Sequence, residues 1–334
     1  MSTPYFVSSE AATAVLSLDE AVRALQAAYA QPLDLAGTPP RTVARSGPAW
    51  LRVLPAIPAG SRYFGAKLMG MAADSRTRGV EYVVVLFDRD TSTIAAFVDG
   101  NAVTGYRTAA TSAAALDRLV PPGPVRLGVL GSGFEASTHV RAFATVRSLQ
   151  EVVVFSPTPE RRHAFARATT EELGIPCTAA DSPEMAGELF RERATVVLAA
   201  ARSRGEKPIL FGDSLREGTT VVSIGSTVPD QRELDVSVVE RCDLIVCDAL
   251  EEVLDETGDM IEATRAGIAF RDRCFSLHDL LCGELEGDRA GSRISLFKSV
   301  GSGLQDVVVA ELVLQRAIES GRATPLPVSF AHKS

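Results

Sequence analysis

A glycine-rich turn lies near the middle of the chain, where an apolar run meets a stretch that favours a helix. The run Val125–Leu130 leads into Gly131-Ser132-Gly133, and the helical stretch begins near Ala136. A strand, a tight glycine turn and a helix start can hold a pyrophosphate against backbone N–H groups and a helix dipole. Ordinary turns share this pattern, but a second apolar run, Glu151–Phe155, follows at the spacing of a nucleotide-binding unit. We therefore predict a dinucleotide site with contacts from Gly131, Ser132, Gly133, Phe134, Glu135 and Ala136.

The end of the second apolar run bears on which dinucleotide binds. An acidic residue there would bind the ribose 2′-hydroxyl of NAD. Here the run ends in Ser156-Pro157-Thr158, and Arg161 and Arg162 follow. Hydroxyls and guanidinium groups suit phosphate oxygens, so the sequence favours NADP over NAD, with contacts from Ser156, Thr158 and Arg161. Alternatively, the two arginines coat the outer face of a helix. Glu135 is discordant, and we expect its carboxylate to point away from the phosphates.

Four cations in the first third of the chain stand among apolar or small neighbours. They are Arg41, Arg52, Lys67 and Arg107. Such cations can hold the carboxylate of a small amino or imino acid, which makes all four candidate substrate-binding residues. Lys67, in the apolar stretch FGAKLMG, needs a partner if it is buried, or else it lies at an edge with its ammonium in water. Lys67 could relay a proton if cationic neighbours lower its pKa.

The remaining reactive side chains give weaker signals. The four histidines show no metal spacing, and Ser132 lies outside a G-x-S-x-G turn, so neither a metal site nor a hydrolase is predicted. A structural or cofactor-facing role is expected for His139. The odd number of cysteines favours free thiols in a reducing cytoplasm. The residues concerned are His139, His163, His278, His332, Cys177, Cys242, Cys247, Cys274 and Cys282.

The pattern before residue 121 predicts a helix, several short strands and a second helix. A helical stripe over Leu18–Tyr29 follows Ser17, a suitable N-cap. The alanine-rich stretch Ala102–Leu119 favours a helix. The expected strands are Arg41–Ala44, Ala49–Ala56, Tyr63–Met71, Val80–Asp88 and Ile94–Val98, the last two as a hairpin.

Apolar strands and helical stretches alternate after Pro121-Pro122-Gly123-Pro124, which favours a mostly parallel sheet covered by helices on both faces. The expected strands are Val125–Leu130, Glu151–Phe155, Ala194–Ala199, Thr219–Ile224, Leu244–Cys247 and Arg293–Ser299. The expected helices are Ala136–Val146, Pro159–Leu173, Pro183–Glu192 and Leu304–Ser320. The last helix is apolar enough to dock on the first domain.

Composition narrows the class of protein. At 334 residues the chain suffices for two domains. Its net charge of −8 gives no overall basic field that would attract nucleic acid or an anionic membrane surface. The N-terminal residues lack the basic and apolar regions of a secretion signal, and no apolar run approaches the roughly 20 residues of a spanning helix. We therefore expect a cytoplasmic protein.

Six segments, taken together and in order, resemble the ornithine cyclodeaminase/μ-crystallin family. They are PPR at 39–41, GAKLMG at 65–70, VTGYRTAATSAAAL at 103–116, GSGFEASTH at 131–139, GSTVPDQRELD at 225–235 and LFKSVGSGLQD at 296–306. The resemblance implies an α/β protein with a Rossmann-type nucleotide-binding domain at 121–304. It also implies a split α+β substrate and dimerisation domain at 1–120 and 305–334, and a homodimer.

The resemblance also implies roles for particular residues. It assigns the substrate carboxylate to Arg41, Lys67 and Arg107, and it places Thr108 near the nicotinamide and phosphates. It brings Lys298 and Ser299 to the same cleft, and it adds Ser226 and Thr227 to the cofactor contacts. Lys67, Arg107 and Thr227 are the catalytic candidates.

One departure from the family bears on the reaction. Cyclodeaminases of this family carry a catalytic Asp in a G-G-D-x-P-G-K pattern, and alignment on Glu233-Leu234 puts Thr227 at that position. A threonine cannot act as a carboxylate base. The sequence therefore favours an NAD(P)-dependent oxidoreductase that reduces the C=N bond of a small cyclic or N-substituted imino acid. Two alternatives stay open: an ornithine or lysine cyclodeaminase with bound NAD, in which Asp230 replaces the missing Asp, and a non-catalytic nucleotide-linked binding protein.

Overall fold

The chain divides into two compact units. The computed structural model describes residues 3–72, 79–201 and 207–331, so His332 lies outside the described residues. The first unit comprises residues 1–111 and 301–334, and the second comprises residues 112–300. The sequence predicts domain boundaries after residues 120 and 304. In the structure the boundaries between the units fall earlier, within the helix Gly100–Leu119 and just before the helix Gly303–Glu319. The helix Gly100–Leu119 continues without interruption across the first of these boundaries, so no break in the sequence marks it.

The elements up to residue 119 are a short strand, two helices, five consecutive strands and a long helix. They are β1 Tyr5–Val7, α1 Ser9–Val15, α2 Leu18–Tyr29, β2 Thr42–Ser46, β3 Ala49–Ala56, β4 Tyr63–Ala72, β5 Glu81–Asp88, β6 Ile94–Asp99 and α3 Gly100–Leu119.

The elements from residue 125 alternate regularly between strands and helices at first, and a long helix and a two-residue strand come last. They are β7 Val125–Leu130, α4 Phe134–Val146, β8 Leu149–Phe155, α5 Pro159–Leu173, β9 Cys177–Ala179, α6 Pro183–Arg193, β10 Val196–Ala199, β11 Thr219–Ser223, α7 Val236–Arg241, β12 Leu244–Cys247, α8 Leu250–Glu256, α9 Gly258–Arg265, β13 Cys274–Ser276, α10 Leu277–Cys282, α11 Glu286–Gly291, β14 Ile294–Lys298, α12 Gly303–Glu319 and β15 Thr324–Pro325.

The first unit is built on one sheet with the strand order β15-β1-β6-β5-β4-β3-β2. Strands β2 to β6 are antiparallel neighbours, and β5 and β6 form the predicted hairpin. Lys67 is the buried residue at the centre of β4, on the face that also buries Leu54 and Val84 of its neighbours. The sheet therefore carries a lysine towards its core, where a buried ammonium needs a charged or hydrogen-bonding partner.

Two helices cover that core. Helix α2 begins where its sequence predicts, since the Ser17 hydroxyl accepts a hydrogen bond from the Glu20 amide, and it buries Ala21, Val22 and Leu25. Helix α12 packs against α2 and against strands β3, β4 and β5 of the sheet. The last long helix of the chain thus completes the core of the first unit.

The second unit is a doubly wound sheet of the order β13-β12-β14-β11-β10-β7-β8-β9, and all of its paired strands are parallel. The chain runs outward from β7 to β9 and then returns to β10 on the other side of β7. Ligands of such sheets bind outside the carboxyl ends of the strands at this reversal. The glycine turn that follows β7 lies at that point. The predicted α/β fold with a parallel sheet is confirmed.

Two strands of this sheet are not predicted from the sequence. β9 and β13 are only three residues long and form the two edges of the sheet. Strands of this length show no alternation that a sequence pattern could reveal, and the sheet supplies their pairing partners. The strands and helices that the sequence does predict for this unit are present, with shifts of a few residues at their ends.

Candidate functional site

A buried ionic cluster joins β4, α3 and α12 in the first unit. The Nζ atom of Lys67 lies 2.8 Å from Oδ1 of Asp306, and Nε of Arg107 lies 3.0 Å from the same oxygen. The side chains of Lys67 and Asp306 are 1% and 0% exposed. One carboxylate oxygen therefore pairs with two of the predicted substrate-binding cations. Asp306 was not predicted, although it ends the segment LFKSVGSGLQD.

The start of α12 fixes Arg107 through a second contact. Gln305 accepts a hydrogen bond from Nη1 of Arg107 at 2.7 Å and donates one to the Tyr29 hydroxyl at 2.8 Å. Gly301 has φ +85°, and a side chain there would collide with the Arg107 guanidinium. These contacts hold the arginine close to the chain just before α12, where the positive φ of Gly301 favours glycine.

Burial changes the acidity of Lys67. Desolvation is the largest cause and lowers the pKa of Lys67 to about 8; the charges of Arg107 and Arg52 act in the same direction, and Asp306 opposes them. From the sequence we expect cationic neighbours to lower this pKa, whereas burial is the larger cause and the neighbours add to it. A lysine of this acidity exists in both protonation states near neutral pH, which suits a group that gives up or receives a proton.

The other two predicted cations belong to the same side of the sheet order, one on β3 and one just before β2. Arg52 is half-buried on β3, and its guanidinium carbon is 5.4 Å from the centre of the Trp50 ring. Arg41 directly precedes β2 and is also half-buried. Thr108 follows Arg107 in α3, and its hydroxyl donates to the Thr104 carbonyl at 2.6 Å. The structure thus brings Lys67 and Arg107 into direct contact with one acid. Arg52 lies on the adjoining strand β3, and Arg41 lies just before β2, the next strand of the sheet.

The glycine turn of the second unit leaves room where a phosphate would approach. Gly131 has φ +116°, and a Cβ at this position would lie 2.5 Å from the Ala200 carbonyl oxygen. Gly133 is the N-cap of α4, and a Cβ there would meet no atom within 4 Å. Ala136 is fully buried, and the exposed Phe134 is the first residue of the helix. A tight turn, an open space and a helix N-terminus fit the diphosphate of a dinucleotide.

The acidic residue of the turn is directed along the helix. A carboxylate oxygen of Glu135 lies 3.9 Å from Nδ1 of His139, one turn further on. The His139 ring is fully buried, with Nδ1 2.7 Å from the Glu135 carbonyl oxygen and Nε2 3.1 Å from the Ser112 hydroxyl. These contacts favour a structural role for His139 over a cofactor-facing one. They also agree with a Glu135 side chain that turns away from the helix start.

The two arginines after β8 differ in their surroundings. Arg162 is buried and donates to the carbonyl oxygens of Ser156 and Asp181, each at 3.2 Å, so it has a structural role. Arg161 is exposed and lines a cleft of about 550 Å³ together with Ser132 and Gly133. The Ser132 and Ser156 hydroxyls are 2.8 Å apart. Thr158, the exposed N-cap of α5, makes no side-chain capping bond.

A second buried ionic cluster lies within the second unit. Nζ of Lys298 is 3.0 Å from Oδ2 of Asp259, 3.7 Å from Oε1 of Glu233 and 2.7 Å from the Ser223 hydroxyl. Lys298 is fully buried, so it offers no surface for a direct cofactor contact. Burial is the largest cause that raises the pKa of Glu233 to about 7, and the Lys298 charge opposes it. Neither Glu233 nor Asp259 was predicted as a functional residue.

This cluster fixes the loop that carries Ser226 and Thr227. Glu233 accepts a hydrogen bond from the Gly225 amide at 2.7 Å, and Asp259 accepts from the amides of Glu233 and Leu234 at 2.9 and 3.0 Å. Both ends of the segment 225–235 are therefore held by buried carboxylates.

Gln231 holds the middle of this loop. Its side-chain oxygen lies 3.2 Å from the Thr227 amide nitrogen and 3.3 Å from the Thr227 hydroxyl, and its backbone oxygen accepts from the Ser226 hydroxyl. Asp230 is exposed. The Ser299 hydroxyl is buried and donates to Asp248 at 2.6 Å. Thr227 is thus held by its own loop, and Ser299 by a carboxylate after β12.

The remaining predicted groups show no further cluster. Within the described residues, no set of three or more His, Cys, Asp or Glu side chains is arranged to hold a metal ion. His163 is exposed on α5, and His278 is buried on α10. Across the same residues, no helix has the length and apolarity needed to cross a membrane.

The fold and these sites agree with a match to a known family. The model of the ornithine cyclodeaminase/mu-crystallin family matches residues 4–321, so the chain belongs to this family. Iminosuccinate reductase of Paracoccus denitrificans is 30% identical over 245 residues, which are 73% of each chain. Delta(1)-pyrroline-2-carboxylate reductase of Bacillus cereus is 27% identical over 273 residues, which are 80% of this chain and 82% of that one.

Solved structures of such enzymes share the fold. The Thermococcus litoralis Delta(1)-pyrroline-2-carboxylate reductase in complex with NADH and L-proline has a TM-score of 0.85 at 26% identity, covering 96% of this chain and 100% of that one. The iminosuccinate reductase of Paracoccus denitrificans in complex with NAD⁺ has a TM-score of 0.87 at 25% identity, covering 98% and 100%. These two relatives bind NAD(H).

Proposed function

We propose that the protein is an NAD(P)H-dependent oxidoreductase that reduces the C=N bond of a small imino acid. The observation that carries this proposal is the buried cluster in which Asp306 holds Lys67 and Arg107 together. The relatives named above reduce imino acids, one with a single carboxylate and one with two. The open glycine turn of the second unit suits the dinucleotide. Thr227, at the position of the cyclodeaminase Asp, favours reduction over cyclising deamination.

The cations of the first unit bind and orient the substrate in this proposal. Arg107 presents a planar fork that matches a carboxylate, and Arg41 and the Lys67 ammonium add donors around it. Asp306 fixes the orientation of the Arg107 guanidinium before the substrate binds, so this side chain loses less conformational freedom on binding. A dinucleotide bound in the second unit would supply the hydride for the imine carbon. Lys67 then holds a proton at Nζ for the nitrogen that receives the C=N electron pair.

The second unit holds the dinucleotide, with Gly131, Ser132, Gly133 and the start of α4 at the diphosphate. Thr108, Ser226 and Thr227 remain proposed contacts for the cofactor. For Lys298 and Ser299 we propose an indirect role, because both are buried and bonded to carboxylates of the same unit. Lys298 supports the loop 225–235 through Glu233 and Asp259, and Ser299 fixes the backbone after β14.

Turnover of two cyclic imines tests the proposal. NADPH or NADH oxidation is measured with Δ1-pyrroline-2-carboxylate and Δ1-piperideine-2-carboxylate as substrates, for the native chain and for the Lys67→Ala and Arg107→Ala variants. We expect kcat/KM to fall by more than about tenfold in each variant, since each change removes a charged donor from the carboxylate. A smaller loss in both variants would overturn the proposed carboxylate site. Ammonia release from ornithine without added reductant would instead favour a cyclodeaminase.

NADP is the proposed cofactor in preference to NAD. The hydroxyl pair Ser132–Ser156 and the exposed Arg161 beside the same cleft support this choice, since they offer donors where a 2′-phosphate would lie. Comparison of kcat/KM for NADPH and NADH, in the native chain and in Arg161→Ala, tests it. We expect the variant to lose efficiency with NADPH and to keep it with NADH. Equal efficiency of the native chain with both cofactors would contradict the preference.

A cytoplasmic homodimer is the proposed working state. The outer face of the first sheet presents an apolar groove lined by residues such as Pro55, Ile57 and Leu68, and its Phe64 and Phe87 rings stack 5.5 Å apart. An apolar sheet face of this kind suits a second copy of the chain. The buried free thiols of Cys242 and Cys247 suit a reducing compartment, and burial raises the pKa of Cys242 to about 12.

A further inference from the structure

Lys298 of the second unit lies between two buried acidic side chains. Its Nζ atom is 3.0 Å from Oδ2 of Asp259 and 3.7 Å from Oε1 of Glu233, and all three side chains are fully buried. If both acids were ionised, the cluster would hold two negative charges and one positive charge away from water. An uncompensated charge in such a place is costly, so the charge balance favours a proton on one of the two acids.

The contacts of Asp259 are those of the ionised acid. Its Oδ1 atom accepts hydrogen bonds from the amides of Glu233 and Leu234 at 2.9 and 3.0 Å. Its Oδ2 atom lies nearer to the Lys298 ammonium than Oε1 of Glu233 does. Two N–H donors and an adjacent cation stabilise a negative charge. Asp259 and Lys298 therefore form the ion pair of the cluster.

The two carboxyl oxygens of Glu233 have unequal surroundings. Oε1 accepts hydrogen bonds from the Ser223 hydroxyl at 2.5 Å and from the Gly225 amide at 2.7 Å. Oε2 is buried and has no hydrogen-bond partner among the described residues. A side chain at Gly225 would collide with Oε2 and would lie 2.9 Å from the Ala201 carbonyl oxygen. A proton therefore belongs on Oε2, because a charge there would be buried without a donor and on the side of a carbonyl oxygen.

The elements around Glu233 bring one cation and one acid to it. Among the described residues, the charged groups that face Glu233 are Lys298 of β14 and Asp259 of α9. Arg232, which precedes it in the chain, donates to the Leu234 carbonyl oxygen at 3.2 Å. Desolvation raises the pKa of Glu233 to about 7, Asp259 adds to this rise and Lys298 opposes it. The direction of this pKa agrees with the proton position that the contacts favour.

Building on the proposed function, we propose that Glu233 is a positioning residue, which carries a proton on Oε2 and in this neutral form holds Ser226 and Thr227 in place for the dinucleotide. Loss of the proton puts a negative charge on a buried oxygen that has no donor. Water can solvate that charge only if the loop 225–235 opens at the Gly225 amide, and the two hydroxyl residues then move with the loop. Dinucleotide binding therefore weakens as the pH rises through about 7.

The pH dependence of dinucleotide binding tests the inference. Fluorescence titration at about pH 6 and about pH 8.5 uses NADPH or NADH, whichever the native chain binds more tightly. We expect the affinity of the native chain to fall over this range by about tenfold or more relative to Glu233→Gln, whose amide has the shape of the neutral acid but cannot ionise. The ligand itself titrates identically in every sample. Glu233→Ala loses both bonds to Oε1 and should bind about tenfold more weakly at either pH.

Asp259→Asn is the matched control, since it makes the same chemical change in the other acid beside Lys298. It removes the ionised partner of the ammonium, so we expect affinity to fall by about tenfold or more already at about pH 6, where Glu233→Gln should stay within about threefold of the native chain. An infrared spectrum of the native chain keeps the test decisive if a variant does not fold. The band of a protonated carboxylic acid should be present at about pH 6 and decline towards about pH 8.5.

The outcomes separate the two proposals. Equal pH dependence in the native chain and in Glu233→Gln, or no acid band in the native chain, would overturn the inference and leave the proposed function in place. A greater loss in Glu233→Gln than in Asp259→Asn would also overturn it, because the proton would then belong to Asp259. No binding of NADPH or NADH by the native chain would overturn the proposed function itself and, with it, the role of Glu233 in placing the loop.

Discussion

Asp306 is the residue on which the cation cluster depends. A buried charge is costly unless an opposite charge lies beside it, and Asp306 serves both Lys67 and Arg107 with one oxygen. The cations themselves stand out in the sequence, since they lie among apolar and small neighbours. Their partner does not, because 239 residues separate Lys67 from Asp306 and no local pattern joins them.

Replacing Asp306 should cost far more stability than removing an exposed ion pair. We expect Asp306→Asn to lower the free energy of unfolding by about 3 kcal/mol or more, because two buried cations lose their shared anion. Asp19→Asn removes the exposed pair with Arg23 at 2.7 Å and should cost less than about 1 kcal/mol. Urea unfolding of the two variants measures the difference. Similar losses of stability in both variants would mean that another anion balances the charges of Lys67 and Arg107.

The acidity of Lys67 should appear in the pH dependence of catalysis. The protonated ammonium is the form that binds carboxylate and supplies a proton, and it is lost as the pH rises through about 8. We therefore expect kcat/KM for the imine to fall above this pH. Lys67→Arg, which stays charged, should flatten that fall even at reduced activity. An unchanged inflection in the variant would assign it to another group.

The glycine turn after β7 shows what an element-scale pattern can and cannot predict. The run of apolar strand, turn and helix is local, so the sequence predicts β7 at its observed bounds, Val125–Leu130. The partners of the loop 225–235 come from α9 and β14, which are distant in sequence. The family resemblance places Lys298 at the cleft, but no local pattern predicts that its position in β14 buries its side chain completely.

The two glycines of this turn should respond differently to alanine. Gly131→Ala places a Cβ against the Ala200 carbonyl at a positive φ, so we expect a lower melting temperature. Gly133→Ala meets open space at φ −91°, so it should fold normally and bind dinucleotide more weakly. Thermal unfolding and NADPH fluorescence titration distinguish the two effects. Normal NADPH affinity in Gly133→Ala would contradict a phosphate at this position.

At the scale of the whole molecule, the outer face of the first sheet should govern assembly. Leu51 and Ile57 on or next to this face are 45% and 49% exposed. We expect the native chain to sediment as a dimer and the double change Leu51→Glu with Ile57→Glu to shift it towards monomer, because charge at an apolar interface is poorly solvated. Ile318→Glu on α12, at 43% exposure, is the control and should not alter the mass. A monomeric native chain would contradict the proposal.

Helix α12 follows the inserted segment in the chain, and this order has a consequence for synthesis. Strand β4 leaves the ribosome long before residue 306 is made, although its Lys67 is buried against Asp306 in the folded protein. The continuous inserted segment 112–300 contains all the partners of its own sheet and can fold while translation proceeds. The first unit cannot complete its core until α12 has been made, so Lys67 stays in water, without Asp306, while the whole inserted segment is synthesised.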